Sequence, residues 1–149
     1  MAPRGLHPVT AARFPDWEER LGRFVGDRLG TSFAWGERDC CLFAGDWVRT
    51  CTGEDPAQGL RGSYQDEAGA LELIRRHGNF WRFVTIRLGQ PMMREPLRAG
   101  RGDLAAVRGE TLDMPALGVV LGARLAVLTP RFGLVQLAVT NIQAAWRIG

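Results

Sequence analysis

The chain has no lysine: its 19 basic residues are all arginine. They are spread along the sequence with acidic residues between them, and the net charge is only +3. No basic stripe of the kind that tracks a nucleic-acid backbone is present, so nucleic acid is not an expected partner. The arginine bias is read first as codon usage. Its other reading is interface anchoring, because the planar guanidinium pairs bidentately and stacks on aromatic rings.

Long apolar runs are missing too. No stretch of about 18 apolar residues occurs, and no charged-then-apolar leader precedes the rest, so neither a membrane span nor a signal peptide is expected. Three cysteines are an odd number and describe no disulfide framework. Cys40 and Cys51 fall on one predicted helix about 16 Å apart along its axis, beyond disulfide reach. Without Cys-x-x-Cys or finger-like Cys/His spacing, neither a metal site nor a cofactor is expected. Free thiols fit a reducing compartment, with synthesis in a cytoplasm. Histidine occurs only twice, as His7 and His77.

What is present is organised in two textures. Residues 1–13 carry Pro3, Gly5 and Pro8 with no sustained period and read as an N-terminal arm. From Phe14, apolar residues at helical spacing (Phe14, Trp17, Leu21, Phe24, Val25, Leu29) predict a helix stopped by Gly30. A second helix opens at Asp39 and closes before Gly53. A third runs from about Gln65 to His77, with Ser63 and Asp66 in a capping-box-like relation and Gly78 after it. A fourth spans Phe80 to Leu88 between Asn79 and Gly89.

Beyond a Pro/Gly linker at 90–102 come short apolar runs at Leu104–Val107, Leu117–Leu121, Leu125–Leu128, Leu134–Val139 and Ile142–Ile148. Gly, Pro and Asn punctuate them, as in an antiparallel meander. The expected class is α+β in a single domain over 14–149. Helices occupy 14–89 and a sheet of about five strands occupies 103–149.

The chemistry-bearing stretch is Phe33 to Gly53, FAWGERDCCLFAGDWVRTCTG. An aromatic-Gly turn (Phe33, Trp35, Gly36) leads to Asp39, and Cys40 falls at the helix start. Unpaired backbone N–H groups and the positive dipole end lower a thiol pKa there, which favours the attacking thiolate. Cys40 and Cys51 also fit a blander role as small buried hydrophobes. For Cys40 the alternatives are a reactive thiol and a working nucleophile. Asp39 reads as a helix cap, with a catalytic acid as the alternative, and Asp103 as a turn-fixing residue at the start of the sheet, with a chemical role as the alternative. Trp35, Trp47, Trp81 and Trp146 read as core or interface anchors, with a sugar-binding platform as the alternative. Gln136, Asn141 and Gln143 are polar residues on otherwise apolar runs. They are candidates to orient a catalytic partner or to hydrogen-bond at a sheet edge.

Taken in order, Trp35-Gly36, Asp39-Cys40-Cys41-Leu42, Gly102-Asp103-Leu104 and Ala116-Leu117-Gly118-Val119-Val120-Leu121-Gly122 resemble the NlpC-type cell-wall cysteine peptidases. Their papain-like fold packs N-terminal helices on a C-terminal antiparallel sheet. The string, with Tyr64 and the Gly-terminated third helix, is most similar to the branch encoded in phage and prophage tail modules.

The resemblance covers about residues 14–149 and implies Cys40 at the nucleophile position. It also implies a general-base His where this chain has Ala116, and Ser-Gly where it has Cys41-Leu42. Losing the base alone costs roughly 10²–10⁴ in rate. The implied function is therefore a structural virion component of a tail tip or baseplate, a pseudo-enzyme with a vestigial centre. Its implied partners are hub, distal-tail and tail-tip proteins, with peptidoglycan as a further one. The arm at residues 1–13 would order against such a neighbour, and Arg4, Arg94, Arg98 and Arg131 would anchor the contacts. The alternative is an active peptidoglycan endopeptidase that assists wall penetration during DNA entry. In that case Cys40 is the nucleophile, with a base from His77 or a partner chain. A third reading is an assembly adaptor or chaperone absent from the finished particle.

Overall fold

A computed structural model describes residues 7–92, 98–109 and 114–149. Four helices precede five strands: α1 (Trp17–Arg28), α2 (Cys40–Thr52), α3 (Glu67–Arg76), α4 (Phe80–Leu88), β1 (Leu104–Val107), β2 (Ala116–Val120), β3 (Arg124–Thr129), β4 (Gly133–Ala138) and β5 (Ile142–Trp146). The class is α+β, with an antiparallel five-stranded sheet.

Caps explain where the helices begin. Asp39, Asn79 and Asp66 each accept a backbone N–H from the first turn they precede: those of Leu42, Arg82 and Gly69 respectively. The expected capping role of Ser63 is not seen. Its hydroxyl donates to the Leu60 carbonyl at 2.6 Å, and α3 starts at Glu67 with Asp66 as its cap. The first helix also starts later than its apolar period, at Trp17. Phe14 instead bonds through its N–H to the Cys51 carbonyl and lies outside the helix.

Strand order is β4-β3-β2-β1-β5. The first four strands form the expected meander, but β5 does not continue it. It returns to the far side of β1, pairing Leu104 with Trp146 and Ala105 with Ala145. The 3-10 turn Val139–Asn141 redirects the chain between β4 and β5.

Period-2 alternation gives the sheet two apolar faces. Leu104, Ala106, Leu117, Val119, Leu128 and Trp146 meet all four helices in the main core. Trp47 and Trp146 are its largest fully buried side chains, each worth about 3–5 kcal/mol on truncation to alanine. Ala105, Val107, Val120, Leu125, Val127 and Ala145 form a second, smaller core on the opposite face.

Residues 7–13 of the expected arm lie along the domain itself. Val9 packs on the main core and its N–H donates to the Arg87 carbonyl. Both Glu54 oxygens take donors from Thr10 and Ala11. Arg13 pairs with Asp103 at 2.8 Å and also donates to the Ile148 and Arg101 carbonyls. Val9 and Arg13 are single anchors rather than a period, which is why a periodicity reading passes over them. Arg4 and Arg94 fall outside the described residues. No helix among the described residues is long and apolar enough to cross a membrane.

Candidate functional site

The site is assembled around the first turn of α2. Ala34 and Arg38 bridge each other through two backbone hydrogen bonds, closing a tight loop. Gly36 at its tip has φ +78° and no room for a side chain, since a Cβ would collide with the Tyr64 carbonyl oxygen. This is the physical basis of the aromatic-Gly turn.

Asp39 is 1% exposed and its carboxylate is fully committed. It accepts from Gly36 N–H and Leu42 N–H at 2.9 Å each, and from the Tyr64 hydroxyl at 2.5 Å. Asp39 is thus a helix cap that also ties the turn and the Tyr64 loop to α2. Burial and the Asp39 charge push the Tyr64 hydroxyl pKa far upward, so Tyr64 stays a proton donor. No signal short of this geometry links Tyr64 to Asp39 across 25 residues.

Cys40 opens the helix behind this cap, 7% exposed. The Cys41 thiol hydrogen-bonds to it and holds its pKa below the usual 9.0, against an opposing desolvation penalty. Backbone N–H groups of Leu117 and Cys41 add to the lowering. The same contact, reinforced by burial, pushes Cys41 well upward. The two adjacent thiols are thus shifted in opposite directions, Cys40 toward the thiolate and Cys41 away from it.

A cavity of about 300 Å³ opens beside Cys40, and Ala116 lines it together with Trp35, Val107, Arg108 and Phe132. Ala116, where the resemblance implies a histidine, therefore shares one cleft with the thiol. Among the described residues lining this cleft there is no His, Asp or Glu. The Arg108 guanidinium carries a positive charge and cannot take a proton.

The remaining candidates lie elsewhere. Val135 and Leu137 of β4 face the cleft, so alternation turns Gln136 to the other side, where it is exposed. Asn141 is exposed in the 3-10 turn, and Gln143 is exposed on β5. Neither lines the cleft, and an orienting role for these three has no geometric support. His7 is exposed and bonds to the Pro8 carbonyl. His77 caps α3, donates to the Leu73 carbonyl and meets the Phe83 ring edge-on. Asp103, 3% exposed, accepts from Gly100 and Ile148 N–H and from Arg13, fixing the turn into β1. Among the described residues no cluster of His, Cys, Asp or Glu could hold a metal ion.

The arrangement presents a thiol of lowered pKa to an apolar cleft. Among the described residues lining that cleft, none can take up the thiol proton and hand it to a leaving amine. Residues 12–148 match a family described as a domain of unknown function, DUF6950. The chain belongs to that family. No curated protein matches it.

Proposed function

We propose that this chain is a structural component of a phage tail tip or baseplate. It carries a papain-like, NlpC-type domain whose peptidase centre is no longer catalytic. One observation carries the non-catalytic part of the reading. Ala116, at the position the resemblance gives to the general base, shares the cleft with Cys40, and none of the described lining residues can replace it. The tail assignment rests on the resemblance of the 33–53 and 102–122 segments to the tail-module branch. The four-helix, five-strand layout, with a cysteine opening a helix that packs on the sheet, is compatible with it.

The second reading, an active wall endopeptidase, is favoured by the lowered Cys40 pKa. Two measurements separate them: mass spectrometry of purified particles, and muropeptide analysis after incubation with peptidoglycan. The proposal expects the chain in the particle and no cleaved stem peptides. Stem-peptide cleavage that disappears in Cys40→Ala would replace it with the enzyme. Absence from particles would remove the tail assignment.

A further inference from the structure

A second feature, outside the Cys40 cleft, involves the other end of α2. Arg87 on α4 is 7% exposed, yet among the described residues it forms no ion pair. Its guanidinium lies 4.2 Å over the Phe83 ring and donates one long bond, 3.3 Å, to the Phe83 carbonyl. Its Nε–H is the one buried side-chain polar group recorded without a partner among the described residues. A buried cation is normally paired, because desolvation without compensation is strongly unfavourable.

Arg87 also lines a polar pocket of about 460 Å³, walled by His7, Arg49, Glu54, Asp55 and Gln58. The acidic groups of that wall are already engaged. Glu54 accepts from Thr10 and Ala11, while Asp55 accepts from Arg61 and from Ala57 N–H. Arg49 is exposed and, like Arg87, forms no ion pair among the described residues. Among the described residues the wall thus carries two guanidinium groups outside ion pairs, against one carboxylate, Glu54, held only by neutral donors, while Asp55 is paired with Arg61. Burial lowers the Arg87 pKa, and Cys41, the opposing group near it, is itself held neutral.

We propose that this pocket binds an oxyanion, a carboxylate or a phosphate group, with Arg87 as the buried anchor and Arg49 as the outer clamp. Guanidinium forks match both anions bidentately, and a desolvated fork binds more strongly than an exposed one. The pocket does not involve Cys40 or its cleft, so it stands or falls separately from the tail reading.

The test is a titration of the full chain, following the Arg87 Nε–H resonance by NMR. One arm uses inorganic phosphate; the other uses a short peptide with a free or an amidated C-terminus. Sodium chloride at matched ionic strength is the control. A saturable shift is expected in at least one arm, weakened about tenfold by the exposed substitution Arg49→Gln. Response to the free but not the amidated peptide would identify a carboxylate, and response to phosphate alone a phosphate group. Lack of saturation in both arms, or saturation unchanged by Arg49→Gln, would overturn the proposal.

Discussion

At the N-terminal end of α2, Cys40 is held below the usual thiol pKa by the Cys41 thiol and the Leu117 N–H. Eleven positions on, Cys51 is fully buried and burial pushes it up to about 11. Residue type and helix are the same, so neither accounts for the difference. The first end meets backbone donors, a second thiol and a cleft, whereas the second meets packed side chains and the Val48 carbonyl at 3.7 Å. Helix position offers a thiol the chance to ionise, and the surrounding donors decide whether it does.

The contrast extends to what holds each end in place. The N-terminal end depends on one carboxylate with three donors, and the C-terminal end on backbone geometry. Asp39→Ala should therefore give the largest effect, about 4 kcal/mol lost in urea unfolding, since the Gly36, Leu42 and Tyr64 donors lose their buried acceptor. A loss under about 1 kcal/mol would mean that water replaces the carboxylate and that the cap is not what organises the site.

The second effect is on pH dependence. The folded-state Cys51 pKa of about 11 lies above its ordinary value of 9.0. Its contribution is fully present below pH 9.0 and is lost as pH rises from there through about 11. The loss is about 2–3 kcal/mol. Stability measured across that window should fall less steeply in Cys51→Ala than in the parent chain. An identical slope would show that Cys51 does not ionise on unfolding in that range.

The smallest effect belongs to the C-terminal cap. Gly53 has φ +86° and a built Cβ would come within 3.2 Å of the Phe14 ring. Gly53→Ala should cost about 1–2 kcal/mol, clearly less than Asp39→Ala. The reverse order would contradict the assignment of stability to the N-terminal end.

These differences in kind mark what the sequence could disclose. Local features were legible: Asp39, Asn79 and Gly53 bound α2 and α4 where the residues imply, because caps act within one turn. The strand runs matched to within one residue at each end, except that β5 stops at Trp146, two residues short of Ile148. Non-local pairings were not legible. The return of β5 to β1, the second core behind the sheet and the Tyr64–Asp39 bond join residues whose separation leaves no periodic trace. The Glu54 contacts to Thr10 and Ala11 are of the same kind, and so the expected arm proved to be partly attached to its own domain. At the candidate site, Cys40, Asp39 and Ala116 were readable from the motif. The role of Cys41 as the hydrogen-bonding neighbour depends on side-chain geometry.

The proposal that Cys40 has no paired base, drawn from the described residues lining its cleft, is tested most directly by its alkylation rate with iodoacetamide, resolved by site with mass spectrometry across pH. The expected profile is a single rise with a midpoint below 9.0, while Cys51 reacts only after unfolding. A plateau of Cys40 reactivity persisting down to about pH 5, the behaviour of a thiolate paired with an imidazolium, would contradict it.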